Sequence, residues 1–163
     1  MQSNLKLTRR QFLAFELAQD FLCLTATDHL LEVTSFSIDQ IVPLMNVPDS
    51  VMGIASYRSE IIGVIDLPGL LDMPSLCEQY EHQTFQTIVV RHHERIAGFA
   101  VNAIGQLLQV NNSELIPTSP KNLPRKFIKC VQSSYHPPKG KDMLVIDITR
   151  LFDILEAISN IEL

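Results

Sequence analysis

Apolar and polar residues alternate along most of the chain in short runs, the period-two signature of half-buried strands. Leu13, Phe15 and Leu17 share one face of a run over Gln11–Leu17, and Phe21–Ala26 follows after Ala18-Gln19-Asp20, so a β-hairpin is expected. Leu30–Phe36 predicts a third strand, entered through Thr27-Asp28-His29. Val51–Ala55 and Ile61–Ile65 flank Ser56-Tyr57-Arg58-Ser59-Glu60, a segment with the composition of a turn. Phe85–Arg91 and Arg95–Asn102 predict a second hairpin with His92-His93-Glu94 at its tip, and Ile104–Val110 another strand. Phe127–Ser133 and Met143–Ile148 read as the last two strands. Ser37–Ser50, Met73–Gln83, Asn111–Pro124 and Ser134–Asp142 all carry proline and read as connections. Only near the end does the period change. Leu151, Phe152, Leu155 and Ile158 fall at i, i+1, i+4 and i+7, one face of a helix over Thr149–Asn160, which is assigned to core packing.

The pattern contains a repeat. Val64-Ile65-Asp66-Leu67-Pro68-Gly69-Leu70-Leu71-Asp72 recurs 81 residues later as Val145-Ile146-Asp147-Ile148-Thr149-Arg150-Leu151-Phe152-Asp153, with five of nine positions identical. Leu30-Leu31-Glu32-Val33 recurs as Leu107-Leu108-Gln109-Val110 at a spacing of 77, where Leu22 also meets Phe99 and Leu24 meets Val101. Two matches at nearly one period point to two similar halves. Many short strands with Gly and Pro punctuation argue sandwich or barrel, and two halves of about five strands each argue a pair of small barrels sharing a core. The expected organisation is a loose tail over 1–10 and a single domain over 11–160 of two intertwined subdomains, with repeat halves at 11–75 and 84–155.

Composition narrows the function more than the fold. At 163 residues the chain buries enough surface to fold without metal or disulfide. Hydrophobic residues make up 46% and charged residues 19%, the latter below the usual ~25%, a deficit that either apolar surface kept for a partner or a uniformly neutral surface explains. Net charge is −5 and the basic residues cluster only at Arg9-Arg10 and over Lys121 to Lys126, so nucleic acid is not expected as a partner. Cys23, Cys77 and Cys130 are odd in number and widely spaced, which fits reduced thiols in a cytoplasmic protein better than zinc or disulfides. Thr8-Arg9-Arg10-Gln11-Phe12-Leu13 looks like a twin-arginine signal, but Glu16, Gln19 and Asp20 interrupt the apolar core such a signal needs. No apolar run reaches the ~18 residues of a membrane span.

Catalytic chemistry finds little support. No nucleophile elbow, phosphate loop or Rossmann motif occurs, and no metal or cofactor is expected. His92-His93-Glu94 is a metal fragment by residue type, yet adjacent histidines on a strand point to opposite faces, so a solvated tip is the expectation. Asp66 and Asp147 hold equivalent repeat positions just before helical segments, where capping is favoured over acid–base work. Glu32 and Arg58 are lone charges among apolar residues, and a charge in such a place is expensive unless paired. They are expected either to pair or to be solvated separately.

The stretch Gly53-Ile54-Ala55-Ser56-Tyr57-Arg58-Ser59-Glu60-Ile61-Ile62-Gly63-Val64-Ile65-Asp66-Leu67 resembles the CheW-like domains of bacterial chemotaxis. Their signature runs Gly-Val-x-Asn-Leu-Arg-Gly-x-apolar-x-Pro-apolar-apolar-Asp-Leu. Leu31-Glu32-Val33, Ala97–Ile104 and Leu144–Leu151 resemble further family segments in the right order, so the likeness spans residues 11 to 155. Ser59, Gly63 and Asn102 stand where the family has Gly, Pro and Asp. The resemblance implies an all-β fold of two five-stranded SH3-like barrel subdomains sharing a hydrophobic core, with a short C-terminal helix. It also implies a non-catalytic cytoplasmic adaptor, recruited to membrane receptor arrays, that couples the cytoplasmic tip of a chemoreceptor or taxis sensor to the regulatory domain of a CheA-type histidine kinase. Glu32 and Arg58 stand at family positions associated with the receptor-side groove; Leu30, Val33 and Ile62 are expected beside them there, and Val47, Val51 and Met52 on the kinase side. The rival expectations are a small-ligand-sensing regulatory β-barrel and a small enzyme or metal-binding protein using His92, His93 and Glu94.

Overall fold

The computed structural model describes residues 9–78 and 83–159. Its strands are β1 (Arg9–Ala18), β2 (Phe21–Ala26), β3 (Leu30–Ser37), β4 (Val51–Tyr57), β5 (Glu60–Asp66), β6 (Thr84–His92), β7 (Arg95–Val101), β8 (Ala103–Asn111), β9 (Leu115–Pro117), β10 (Val131–Tyr135) and β11 (Met143–Ile146). Three helices join them: α1 (Leu67–Leu70), α2 (Arg125–Cys130) and α3 (Ile148–Ser159). The strands form two curled sheets. One is six-stranded in the order β8-β1-β2-β11-β10-β9, the other five-stranded in the order β3-β6-β7-β5-β4.

Each sheet borrows a hairpin from the other half of the chain. β6 and β7 complete the sheet of β3, β4 and β5, with β7 parallel to β5, and β1 and β2 complete the sheet of β8 to β11, with β2 parallel to β11. The sheets are therefore interleaved in sequence and do not follow the halves 11–75 and 84–155. Three apolar clusters result. Phe36, Tyr57, Ile62, Val64, Phe85 and Val89 fill the five-stranded barrel. Phe12, Leu24, Val110, Tyr135 and Val145 fill the six-stranded one. The largest cluster lies between them. Phe15, Leu17, Ile65, Ile88, Phe99 and Ile146 from the outer faces of the strands meet Phe127, Leu151 and Phe152 from the helices. This is the shared core.

The repeat is real but its register differs from the sequence words. Val64, Ile65 and Asp66 correspond to Val145, Ile146 and Asp147 at the expected spacing of 81, since β5 and β11 both pair in parallel with the borrowed hairpins and each aspartate leads into a helix. Ile65 pairs with Phe99 and Ile146 with Thr25, so Thr25 and Phe99 are counterparts at a spacing of 74. The same spacing relates Ser37 to Asn111, each capping a 3-10 turn with a side chain three residues on, Gln40 and Glu114. The 77-residue match of Leu30–Val33 with Leu107–Val110 is thus out of register: Val110 is buried whereas Val33 is exposed.

Two connections were misread from period. Phe127–Ser133 was expected as a strand, but Arg125–Cys130 is helical. Pro124 stands at its N-cap and Phe127 and Cys130, three apart, turn one face into the shared core. Only from Val131 does the chain extend. The Asn111–Pro124 loop contains β9, a three-residue edge strand on β10 that ends at Pro117, as an edge permits. β1 begins at Arg9 within the expected tail, and β11 stops at Ile146 because Asp147 caps α3. The helix at the C-terminus matches its expected face, with Leu151, Phe152 and Leu155 buried.

Thr25 Oγ1 is buried with no hydrogen-bond partner, beside a void of about 10 Å³ lined also by Phe15, Ile88 and Phe99. An unpaired buried hydroxyl costs about 1–3 kcal/mol. Thr25→Val keeps the shape and should raise stability by about 1 kcal/mol, whereas Phe99→Ala should lower it by about 3–5 kcal/mol. Urea denaturation of both variants checks the pair.

Candidate functional site

The five-stranded barrel carries its charges at one rim. β4 and β5 are joined by a two-residue loop, Arg58-Ser59, with Tyr57 paired to Glu60. Both loop residues are left-handed, φ 44° at Arg58 and 68° at Ser59. Such hairpins favour Asn-Gly because the required backbone disfavours a Cβ. Ser59 therefore adopts the left-handed turn backbone at a local cost.

Across the rim, β3 has a bulge between Leu30 and Glu32. A bulge re-aims the side chains beside it. Glu32 Oε2 reaches Arg58 Nη2 at 3.5 Å, linking the sheet's edge strand β3 to the β4–β5 tip. The expectation that the two lone charges either pair or are solvated separately resolves to a pair at the surface: Arg58 is 70% exposed and Glu32 37%. An exposed pair of this kind contributes at most about 1 kcal/mol. The Arg58 guanidinium also lies 5.4 Å from the Tyr57 ring centroid.

Tyr57 sits beneath the pair. Its hydroxyl is buried with no hydrogen-bond partner of good geometry. Burial first, and then the neighbouring Glu32 carboxylate, push its pKa above the ordinary tyrosine value, while Arg58 pulls the other way.

The remaining site residues divide by strand face. Val33 is exposed, and Leu31 beside it even more so. Leu30 is half-buried against the shared core. Ile62 is 3% exposed and packs inside the barrel, because successive strand residues face opposite ways and Ile61 is the exposed neighbour at 68%. On the other side, Val47 and Val51 line one cleft, whereas Met52 packs on the five-stranded barrel's core. Gly53 explains how the 42–50 segment lies so close: its φ is +148°, and a Cβ there would stand 2.2 Å from Val42 O. Alternation alone could have exchanged Ile62 for Ile61. No sequence signal marked Tyr57 as the group under the charge pair.

The other candidates are structural. Asp66 Oδ1 accepts from Gly69 N at 3.2 Å and Leu76 N at 3.3 Å, and Oδ2 accepts from Ser75 Oγ. Asp147 Oδ1 accepts from Thr149 N at 2.9 Å. Both aspartates cap, as their positions implied. His92 packs against Phe152 with ring centroids 5.2 Å apart, and against His29 and His93. Among the described residues, no three or more His, Cys, Asp or Glu side chains are grouped to hold a metal ion. Cys23 and Cys130 are buried, and burial pushes the Cys130 thiol up to about 12.

A family model described as the CheW-like domain matches residues 11–156. The chain belongs to the CheW-like domain family. Comparison with curated proteins finds no match. Among solved structures, the crystal structure of the scaffolding protein TtCheW from Thermoanaerobacter tengcongensis is similar, with a TM-score of 0.73 and 21% sequence identity over 88% of this chain and 92% of that one. At that identity the likeness is one of fold, and it establishes the pair of barrels for this CheW-like domain. No helix of the described residues is long and apolar enough to cross a membrane.

Two outcomes follow for the rim of this CheW-like domain. Ser59→Gly should stabilise by about 1 kcal/mol, since glycine adopts the left-handed backbone freely; thermal melts check this. Tyr57 holds its proton more tightly folded than unfolded, so it contributes nothing to the pH slope well below about pH 10 and loses stability as pH rises past it. Melts from pH 8 to 11 should show a steeper fall for wild type than for Tyr57→Phe.

Proposed function

We propose that this chain is a non-catalytic adaptor in chemotaxis-type signalling, coupling the cytoplasmic tip of a chemoreceptor or taxis sensor to the regulatory domain of a CheA-type histidine kinase. The observation that carries the reading is the Glu32–Arg58 pair across the barrel rim, within a chain that matches the CheW-like domain over residues 11–156.

The receptor side is the rim formed by β3 and the β4–β5 tip. Leu31, Val33 and Ile61 offer exposed apolar side chains beside the charges. A helical tip laying its apolar face there would cover them, with Glu32 and Arg58 fixing its register. Ile62 and Tyr57 support the rim from inside the barrel. The kinase side is assigned to Val47 and Val51, with Met52 bracing β4 from the opposite face. Association with receptor arrays would follow from these contacts.

The charge pair contributes little to folding, so its loss should be felt in binding instead. In a pull-down from native lysate, the wild-type chain should recover a histidine kinase and a receptor-like coiled coil. Arg58→Ala and Glu32→Ala should recover less receptor, with melting temperatures close to wild type. Equal recovery by both variants would remove the rim from the proposal, and recovery of neither partner by the folded wild type would remove the adaptor reading.

A further inference from the structure

A cleft of about 430 Å³ opens on the far side of β5 from the barrel interior, between the 45–51 segment, β7 and α3. Val47, Pro48, Val51, Ile65, Ile96 and Phe152 supply most of its apolar lining. Its size falls in the range of about 300–1,000 Å³ typical of small-molecule sites, which pair apolar walls with a few placed polar groups. Among the described residues one charged side chain lines the cleft, that of Arg95.

The guanidinium of Arg95 is held but not saturated. It lies 5.8 Å from the Phe152 ring centroid, so a cleft wall orients it. Its nearest carboxylate among the described residues is Glu156 on α3, with Nη1 and Oε1 3.9 Å apart, beyond hydrogen-bond distance. Both side chains are about half-exposed. Its planar fork of N–H donors fits a carboxylate in a two-point contact that the distant Glu156 does not make.

We propose that this cleft binds a medium-chain carboxylate, its hydrocarbon chain between Val47, Val51 and Phe152 and its carboxylate on Arg95. The site shares Val47 and Val51 with the kinase-side surface but does not rest on the adaptor reading. Its chemistry selects the sign of the head group. An anion displaces Glu156 from a weak contact, whereas a cationic amphiphile of the same length meets the guanidinium head-on. Glu156 opposes the ligand, so its neutralisation favours binding.

Titration of the full chain with decanoate below its micellar concentration tests this. Calorimetry should show saturable one-to-one binding, and amide shifts should concentrate at Val51, Ile96, Ala97 and Ser159. Arg95→Gln should weaken binding about tenfold, in keeping with loss of a charge-assisted contact, and Glu156→Gln should tighten it. Arg95 is half-exposed, so circular dichroism of its variant should match wild type. Decyltrimethylammonium should not bind. Equal binding of the cation, an unchanged affinity in Arg95→Gln, weaker binding in Glu156→Gln, or no saturable binding of decanoate would each overturn the proposal. None of these outcomes bears on recovery of kinase or receptor, so the two readings fail separately.

Discussion

The parallel pairing of β7 with β5, and of β2 with β11, is the interaction on which the molecule depends. Each pairing inserts a hairpin from one half of the chain into the sheet of the other. Neither half can close a barrel by itself. A sheet this short must also cover both faces, and the exchange provides for that. Alternate residues of β1, β5 and β6 point into their own barrel, while the residues between them meet in the shared core. Phe99 and its counterpart Thr25 show how the two halves fit there. They line the same small void, one large and one small, because near-symmetric positions that face each other leave no room for two phenylalanines.

That architecture leaves the rim of the five-stranded barrel energetically free. The shared core sits behind β5, β6 and β7, and the β4–β5 tip stands away from it. Strain at Arg58 and Ser59 and an exposed ion pair are therefore affordable where a loss of a kilocalorie does not threaten the fold. An exposed pair adds little stability, but on the docking surface proposed above two charges fixed among exposed Leu31, Val33 and Ile61 would set a register.

Legibility tracked the range of the interactions. The hairpins, the Asp66 and Asp147 caps and the α3 face are local, and period and capping chemistry revealed them. The CheW-like resemblance likewise rested on local words such as Gly53–Leu67. What was lost depended on distant partners. β9 is a strand only because β10 lies beside it, and α2 is too short at six residues for a period to stand out. The 77-residue word match of Leu30–Val33 illustrates a different limit. Short apolar words recur in β proteins, and a register error of three residues swaps the inward and outward faces. The 81-residue match held because it includes Asp, whose capping role ties it to one place in the fold.

The near-symmetry also makes clear how differently the two rims are furnished. β8 has a bulge between Ile104 and Leu107 where β3 has one between Leu30 and Glu32, so Gln106 stands in the place of Glu32. The longer β10–β11 connection carries Pro137-Pro138 and local contacts of His136 with Asp142 and Lys141 with Asp20, where the β4–β5 tip reaches across to β3 through Arg58 with Tyr57 beneath it. Beside it lies an opening of about 280 Å³ walled by Ala14, Leu22, Leu108 and Met143, with Glu16 and Gln106 at its polar side. One scaffold, used twice, therefore presents two different ends. The exchanged hairpins force the halves to share a backbone plan, but they place no demand on the rims. Side chains there are left to diverge, and through that divergence a pseudo-symmetric chain comes to present unlike ends.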